Sequence, residues 1–371
     1  ERKPMKLEHF PGRKGAGHAP RRSLSRARRP GRDRRPGPVT ASLALAVASA
    51  TAAWVPAGDA VAAPARNAAG TSINLSQVTL RVGDQAGSGS EALLKASGLL
   101  STLPFKVSWS DFTSGPPMLQ AMGAGAIDVG GVGDAPPVFA AAGGADIAVV
   151  GATENGPNSA ALVVPKGSPI KSVSQLRGKT IAVAQGSSAD YHLLTVLNKA
   201  GLNVRQVTLD YLQPAEGLAA LESGKVDAWD IWTPYIEEAV AEHGAKVLVN
   251  GNGFGSEYSF VVASRTALNN PAKAAAISAY LTDLDKAYLW EKGHTNAWAS
   301  NWAQGTGLPV SIMDRATKDE SITPVPITSA VVRSEQGLVN AFFSAGLIPK
   351  KFNFVDYSYD GFNADVQKAS Q

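Results

Sequence analysis

The run Ile127–Ala142, IDVGGVGDAPPVFAAA, joins an apolar strand, a glycine turn and a helix start. Ile127 and Val129 read as strand. Gly130, Gly131 and Gly133 permit a tight turn and close approach of a ligand to the backbone, and Pro136-Pro137 suits a first helical turn, where an N–H has no intrahelical partner. N–H groups left free at such a start carry partial positive charge and seat an oxyanion. A plain strand-to-helix connection reads the same way in isolation. Repetition of the device along the chain favours the anion seat.

Outward from this run, strands and helices alternate from Gln77, which predicts an α/β architecture with mostly parallel sheets. Strand Val78–Val82 leads to helix Ser90–Leu100, strand Lys106–Trp109, turn Thr113–Pro117 and helix Met118–Met122. Ligands in such sheets sit at the carboxyl ends of the strands, where Gln85, Ser114-Gly115 and Gly133-Asp134-Ala135 meet. At an offset of 99 residues the pattern recurs: Asp111-Phe112 matches Asp210-Tyr211, Leu119 matches Leu218, Gly125 matches Gly224, and Ile127-Asp128 matches Val226-Asp227. Two lobes of like topology follow. The first lobe is expected to run from residue 76 to strand Ala160–Val164, with the chain crossing over at Pro165–Pro169. The second covers 165–255 and returns through Gly251–Gly255, after which 256–371 completes the first lobe.

In the second lobe, Gln185-Gly186-Ser187-Ser188 opens a helix that stops at Gly201. Ser187 or Ser188 caps it, or the same hydroxyls hold an oxyanion. Strand Val204–Leu209 and a helix from Ala215 lead to Val226–Tyr235, where Trp229 and Trp232 are either core or a flat cover for a ligand. Ile277, Leu281, Leu284 and Tyr288 recur at helical spacing and read as packing. The end of the chain, with a helix over Gln336–Ala345, reads as lobe covering.

Charge is unevenly spread over the 371 residues: residues 1–62 hold 13 Lys/Arg against 4 Asp/Glu, and the remainder 22 against 27. The basic character therefore belongs to the leader, and a nucleic-acid or anionic-membrane surface on the rest is disfavoured. Eight arginines between Arg21 and Arg35 precede the apolar run Val39–Val55 and the small-x-small site Ala60-Val61-Ala62, the pattern of a cleaved export signal with its cut after Ala62. The chain has no cysteine, which excludes disulfides, thiolate metal sites, thiol nucleophiles and a lipoprotein anchor. A periplasmic protein is the expectation.

The whole chain after the expected export signal resembles the periplasmic binding proteins of bacterial ABC importers, specifically the aliphatic-sulfonate binders related to taurine and nitrate binders. The resemblance is carried by Arg81-Val82-Gly83 with Gln85, by Phe112 with Gly115-Pro116, and above all by Gly133–Ala140. Val164-Pro165-Lys166 with Ser168-Pro169-Ile170, Gly186-Ser187 and Val226–Pro234 extend it. It implies periplasmic binding protein type II architecture, two α/β lobes on a two-strand hinge, and capture of an alkanesulfonate for a membrane permease driven by a separate ATPase. No catalysis, cofactor or metal is implied, and a monomer is expected. Members often carry Glu-Thr before the paired prolines where this chain has Asp134-Ala135, so one hydroxyl is missing there.

A sulfonate is a monoanion with no proton to donate, so donors alone suffice to bind it. The expected donors are Gln85, Ser114, Gly115, Ala135, Ser187 and Ser188, with Trp229 and Trp232 over the organic tail and Gly133, Asp134, Asp227 and Tyr258 completing the site. Asp134 either caps its own turn or faces a ligand ammonium such as that of taurine. The rivals are a nitrate, taurine or other small-oxyanion binder and, on the same fold, an enzyme. A desulfinase of this kind needs a cysteine that is absent, and the five histidines form no sequence cluster.

Overall fold

A computed structural model of the chain describes residues 73–85, 89–255 and 258–369. The expected export signal lies outside them. In chain order the strands are β1 (Thr79–Gln85), β2 (Lys106–Phe112), β3 (Val129–Gly133), β4 (Ile147–Glu154), β5 (Ala160–Val164), β6 (Thr180–Val183), β7 (Thr208–Tyr211), β8 (Ala228–Trp232), β9 (Lys246–Asn250), β10 (Tyr258–Ser264) and β11 (Thr323–Val325). They form two sheets, ordered β11-β4-β10-β3-β1-β2 and β7-β6-β8-β5-β9. Strands β2, β1, β3, β10 and β4 of the first sheet thus correspond in order to β7, β6, β8, β5 and β9 of the second.

The sheets are mixed, not mostly parallel. β1 runs parallel to β2 and β3, and β6 to β7 and β8, whereas β10 is antiparallel to β3 and β4, and β5 to β8 and β9. The crossovers cause this. Helical connections return the chain to the far edge and give parallel neighbours, but a strand arriving from the other lobe enters at the cleft and runs the opposite way.

β5 pairs with β8 and β9, so it belongs to the second lobe. The first crossover therefore spans 155–159, before this strand, and the boundary expected at 164/165 is corrected. Five apolar residues read as a buried strand in either sheet, and only the pairing distinguishes the two. The return passes between β9 and β10.

The helices are α1 (Ser90–Ala96), α2 (Gly115–Gly123), α3 (Ala135–Ala142), α4 (Ser188–Lys199), α5 (Pro214–Glu222), α6 (Tyr235–Ala241), α7 (Arg265–Leu268), α8 (Pro271–Gly293), α9 (Thr295–Thr306), α10 (Val310–Glu320), α11 (Ser329–Ala345) and α12 (Asn363–Ala369). α2 and α5 start earlier than the sequence suggests because Pro116-Pro117 and Pro214 occupy their first turns. Val204–Gln206 is a 3-10 turn, and the strand begins only at Thr208. At α8, Asn270 Oδ1 accepts the N–H groups of Ala272 and Lys273, both at 3.1 Å. α11 begins seven residues before Gln336 and is capped after Ala345 by Gly346, whose φ of 74° suits a residue without Cβ.

Both lobes carry the same bracket at the amino ends of their strands. Asp128 accepts the backbone N–H of Arg81 at 3.0 Å, and Asp227 that of Thr180 at 2.9 Å. Each is paired with a cation, Asp128 with Arg81 and Lys273, Asp227 with Lys179. Apolar side chains cover both faces of each sheet, from Leu80, Tyr280 and Trp302 on one side of the first to Leu162, Leu193 and Leu197 on one side of the second. Full burial of each such aliphatic side chain contributes about 1.5–3 kcal/mol.

Candidate functional site

Between the lobes, at the carboxyl ends of β1, β3 and β8, lies a cavity of about 500 Å³. Of the expected site residues, Gln85, Gly115, Gly133, Asp134, Ser187, Ser188, Trp232 and Tyr258 line it. Ser114, Ala135, Asp227 and Trp229 do not.

Each of those four has a structural task. Asp227 is the amino-end bracket of β8, at the far end of the strand from the cavity. Trp229 is wholly buried beneath α5, so close that a Cβ on Gly217 would lie 2.6 Å from its Nε1. The alternation of a strand explains the split: Trp232 is three residues on from Trp229 and so points to the other face. Ser114 Oγ donates to Gln213 Oε1 at 2.8 Å, as does Thr113 Oγ1 at 2.8 Å. These bonds join the starts of α2 and α5, equivalent helices of the two lobes. Ala135 N–H donates to Asp134 Oδ1 at 2.7 Å, so Asp134 caps its own turn.

That cap corrects the anion seat expected at α3. Of the first-turn groups there, the Ala135 N–H is taken by Asp134, and Pro136 and Pro137 have none. α2 likewise has no N–H at Pro116 and Pro117, but Ser114 makes no cap bond there, and Gly115 lines the cavity. On the opposite wall, the first turn of α4 holds no proline. Ser187 Oγ donates to Ala184 O at 2.6 Å and accepts the Asp190 N–H at 3.4 Å, so it is a cap. The Asp190 carboxylate accepts the Gly186 N–H at 2.9 Å, and burial pushes its pKa up to about 6 against that bond. Ser188 Oγ, by contrast, has no hydrogen-bond partner among the described residues. It lines the cavity and sits where a Cβ on Gly133 would lie, so only glycine at 133 lets the walls meet.

The rest of the cavity differs in character. Tyr280, Leu284 and Tyr288 of α8 line it together with Ile322, and Trp232 faces it from β8, its ring edge-on to Tyr235 at 6.0 Å. Leu284 and Tyr288, which read as packing from their spacing, thus also form wall. His192 lines the cavity too, buried on α4 one turn beyond Ser188. No feature of the sequence around it marked it as wall; the signal available was that spacing. Hydroxyl, amide and carboxyl side chains, Glu154 and Glu320 among them, thus share one chamber with aromatic and aliphatic ones. Among the described residues no cluster of His, Asp and Glu is suited to hold a metal ion.

Residues 106–307 match the family of phosphonate-type periplasmic substrate-binding proteins of ABC transporters. A protein of Escherichia coli (strain K12) named as an aliphatic sulfonates-binding protein is 34% identical over 275 residues, 73% of this chain and 86% of that one. A protein of Bacillus subtilis (strain 168) with the same name is 30% identical over 68% of this chain and 75% of its own length. Among solved structures, the alkanesulfonate-binding protein SsuA from Xanthomonas axonopodis pv. citri bound to MOPS superposes with a TM-score of 0.70 at 34% identity, covering 76% of this chain and 98% of that one. The two-lobed mixed sheets, the cleft at their strand ends and these matches agree: the chain belongs to the periplasmic substrate-binding proteins of ABC transporters, in the family of the aliphatic-sulfonate-binding proteins.

Proposed function

We propose that the chain captures an organosulfonate between its lobes and delivers it to the permease of an ABC importer, whose ATPase is a separate chain. The observation that supports this reading is that one cavity is lined both by the Ser188 hydroxyl and by the apolar side chains Trp232, Leu284 and Tyr288. A tail-less oxyanion such as nitrate has no use for the second. The N–H groups of Ser188 and Ala189 and the Ser188 hydroxyl hold the sulfonate oxygens, each charge-assisted bond contributing about 1.5–3 kcal/mol. Gln85 and Tyr258 complete the polar rim. The protein works as a monomer in the periplasm, released from a cleaved export signal, and carries out no chemistry on its ligand.

A thermal-shift panel tests this. A ligand bound only by the folded state raises the melting temperature by mass action. Short and longer alkanesulfonates are expected to raise it, and nitrate and sulfate to leave it unchanged. A shift with nitrate or sulfate and none with any sulfonate contradicts the assignment. Release of sulfite during incubation contradicts the absence of catalysis.

A further inference from the structure

His192, which lines the cavity one turn along α4 from Ser188, forms a buried pair with Asp230, at 1% and 0% exposure. His192 Nδ1 lies 2.9 Å from both carboxylate oxygens of Asp230, and Nε2 lies 3.2 Å from the carbonyl oxygen of Asn250. A carbonyl oxygen only accepts, so Nε2 carries a hydrogen. A ring lone pair facing a carboxylate would leave two acceptors in contact, so a second proton lies between Nδ1 and Asp230. Whichever atom holds it, the pair is neutral as a unit. Loss of that proton leaves one uncompensated negative charge in a water-poor site, which is costly.

The surroundings oppose that loss. From the first lobe the Asp134 carboxylate acts on His192, and from α4 itself Asp190 acts on Asp230. Tyr191, next to His192, also feels Asp134. β5, packed against α4, is wholly apolar. The near cation, Lys199, is one ring removed: its Nζ lies 4.3 Å from the Phe254 ring centre, and Phe254 stands edge-on to His192 at 6.2 Å. Burial works against a charged imidazole, but the Asp230 charge and hydrogen bond, the Asn250 carbonyl and Asp134 together hold its pKa above the ordinary histidine value.

We propose that the His192–Asp230 pair is the neutral floor of the anion seat, and that capture of the ligand is linked to its shared proton. The inference rests on the reading of the cleft as an anion site. With the proton in place the floor adds no charge beneath the ligand. Without it, a buried negative charge lies behind the cavity wall at His192 and repels an incoming anion. His192 is also a positioning residue, because its Nε2 bond ties α4 to Asn250, the last residue before the return crossover.

The test is calorimetric titration of the chain with ethanesulfonate, whose own charge is constant, from about pH 5.5 to about pH 9 in buffers of differing ionisation enthalpy. The expected result is an affinity that falls by up to about tenfold per pH unit once the pair begins to deprotonate, with uptake of up to one proton on binding in that range. His192→Gln and, should it fail to fold, Asp230→Asn are expected to bind more weakly and with no such pH dependence. Their melting curves show whether they fold. Nitrogen-15 shifts of the imidazole report the proton independently of ligand. Affinity of the unaltered chain that is constant across the range, without proton uptake, overturns the linkage while leaving the sulfonate reading intact. An absence of binding at every pH overturns both.

Discussion

Helices α3 and α4 start on opposite walls of one cleft and present opposite chemistry. α3 opens Asp134-Ala135-Pro136-Pro137, and α4 opens Ser187-Ser188-Ala189-Asp190. The first has one N–H in its opening turn before Val138, and Asp134 accepts it. The second caps itself with Ser187 and Asp190 and leaves the Ser188 hydroxyl facing the cavity. A glycine-rich strand-to-helix turn can seat an anion only where its first turn retains donors. Where prolines fill that turn, it supplies a rigid apolar wall, which Ser188 of the other lobe meets at Gly133.

The comparison can be broken by substitution. The largest effect expected on ligand binding is from Ser188→Ala, which removes a hydroxyl from a charged ligand at about 1.5–3 kcal/mol. Calorimetry with a sulfonate reads this as at least a tenfold rise in Kd, about 1.4 kcal/mol. Gly133→Ala places a methyl group against Ser188 and keeps the walls apart, at about 1–3 kcal/mol. The same titration shows it as weaker binding, with the melting temperature of the ligand-free chain little changed. Ser187→Ala removes a helix cap and costs about 1 kcal/mol of folding stability in urea denaturation, with a smaller effect on Kd than Ser188→Ala. Gln213→Ala frees Ser114 and Thr113 from their acceptor, and the titration is expected to show binding weaker by about 0.5–1.5 kcal/mol. The smallest effect belongs to Pro136→Ala. It restores an N–H to α3, yet Kd is expected to stay within about twofold, less than 0.5 kcal/mol. A tenfold gain there would show that α3, too, faces the anion.

The lobes were legible in the sequence because a repeated strand, turn and helix leaves matching residues at a fixed offset. The same echo held the clue to Asp227. Its twin Asp128 sits at the amino end of β3 and brackets the neighbouring strand, a role that excludes both from the cleft. The first boundary was not legible, since Ala160–Val164 has the apolar pattern of a central strand in either sheet. Trp229 and Trp232 looked equivalent by composition, and the alternation of β8 separates them into core and wall. The His192 and Asp230 pair was hidden for another reason: its members lie 38 residues apart on different elements, and only the packing of α4 on β8 joins them. Acid and basic residues reveal a site in sequence when spacing brings them together, and here the fold does so.

The acid brackets also set a pH limit on the first lobe. Burial raises the Asp128 pKa, but Arg81 and Lys273 outweigh it and hold it below the usual carboxylate value. Its contribution to stability is therefore present above the ordinary aspartate range and is lost as pH falls through the lowered value. Asp128→Asn is expected to flatten the acid limb of a stability profile measured by urea denaturation.

The account rests on a chamber that combines hydrogen-bond donors with apolar side chains, and a chain-length series measures the apolar part most directly. Calorimetric Kd values for methane-, ethane-, propane- and butanesulfonate are expected to fall with each added methylene, by up to about 0.8 kcal/mol per step where the group is fully buried. Affinity that does not change along the series, or that is matched by sulfate, would contradict the account.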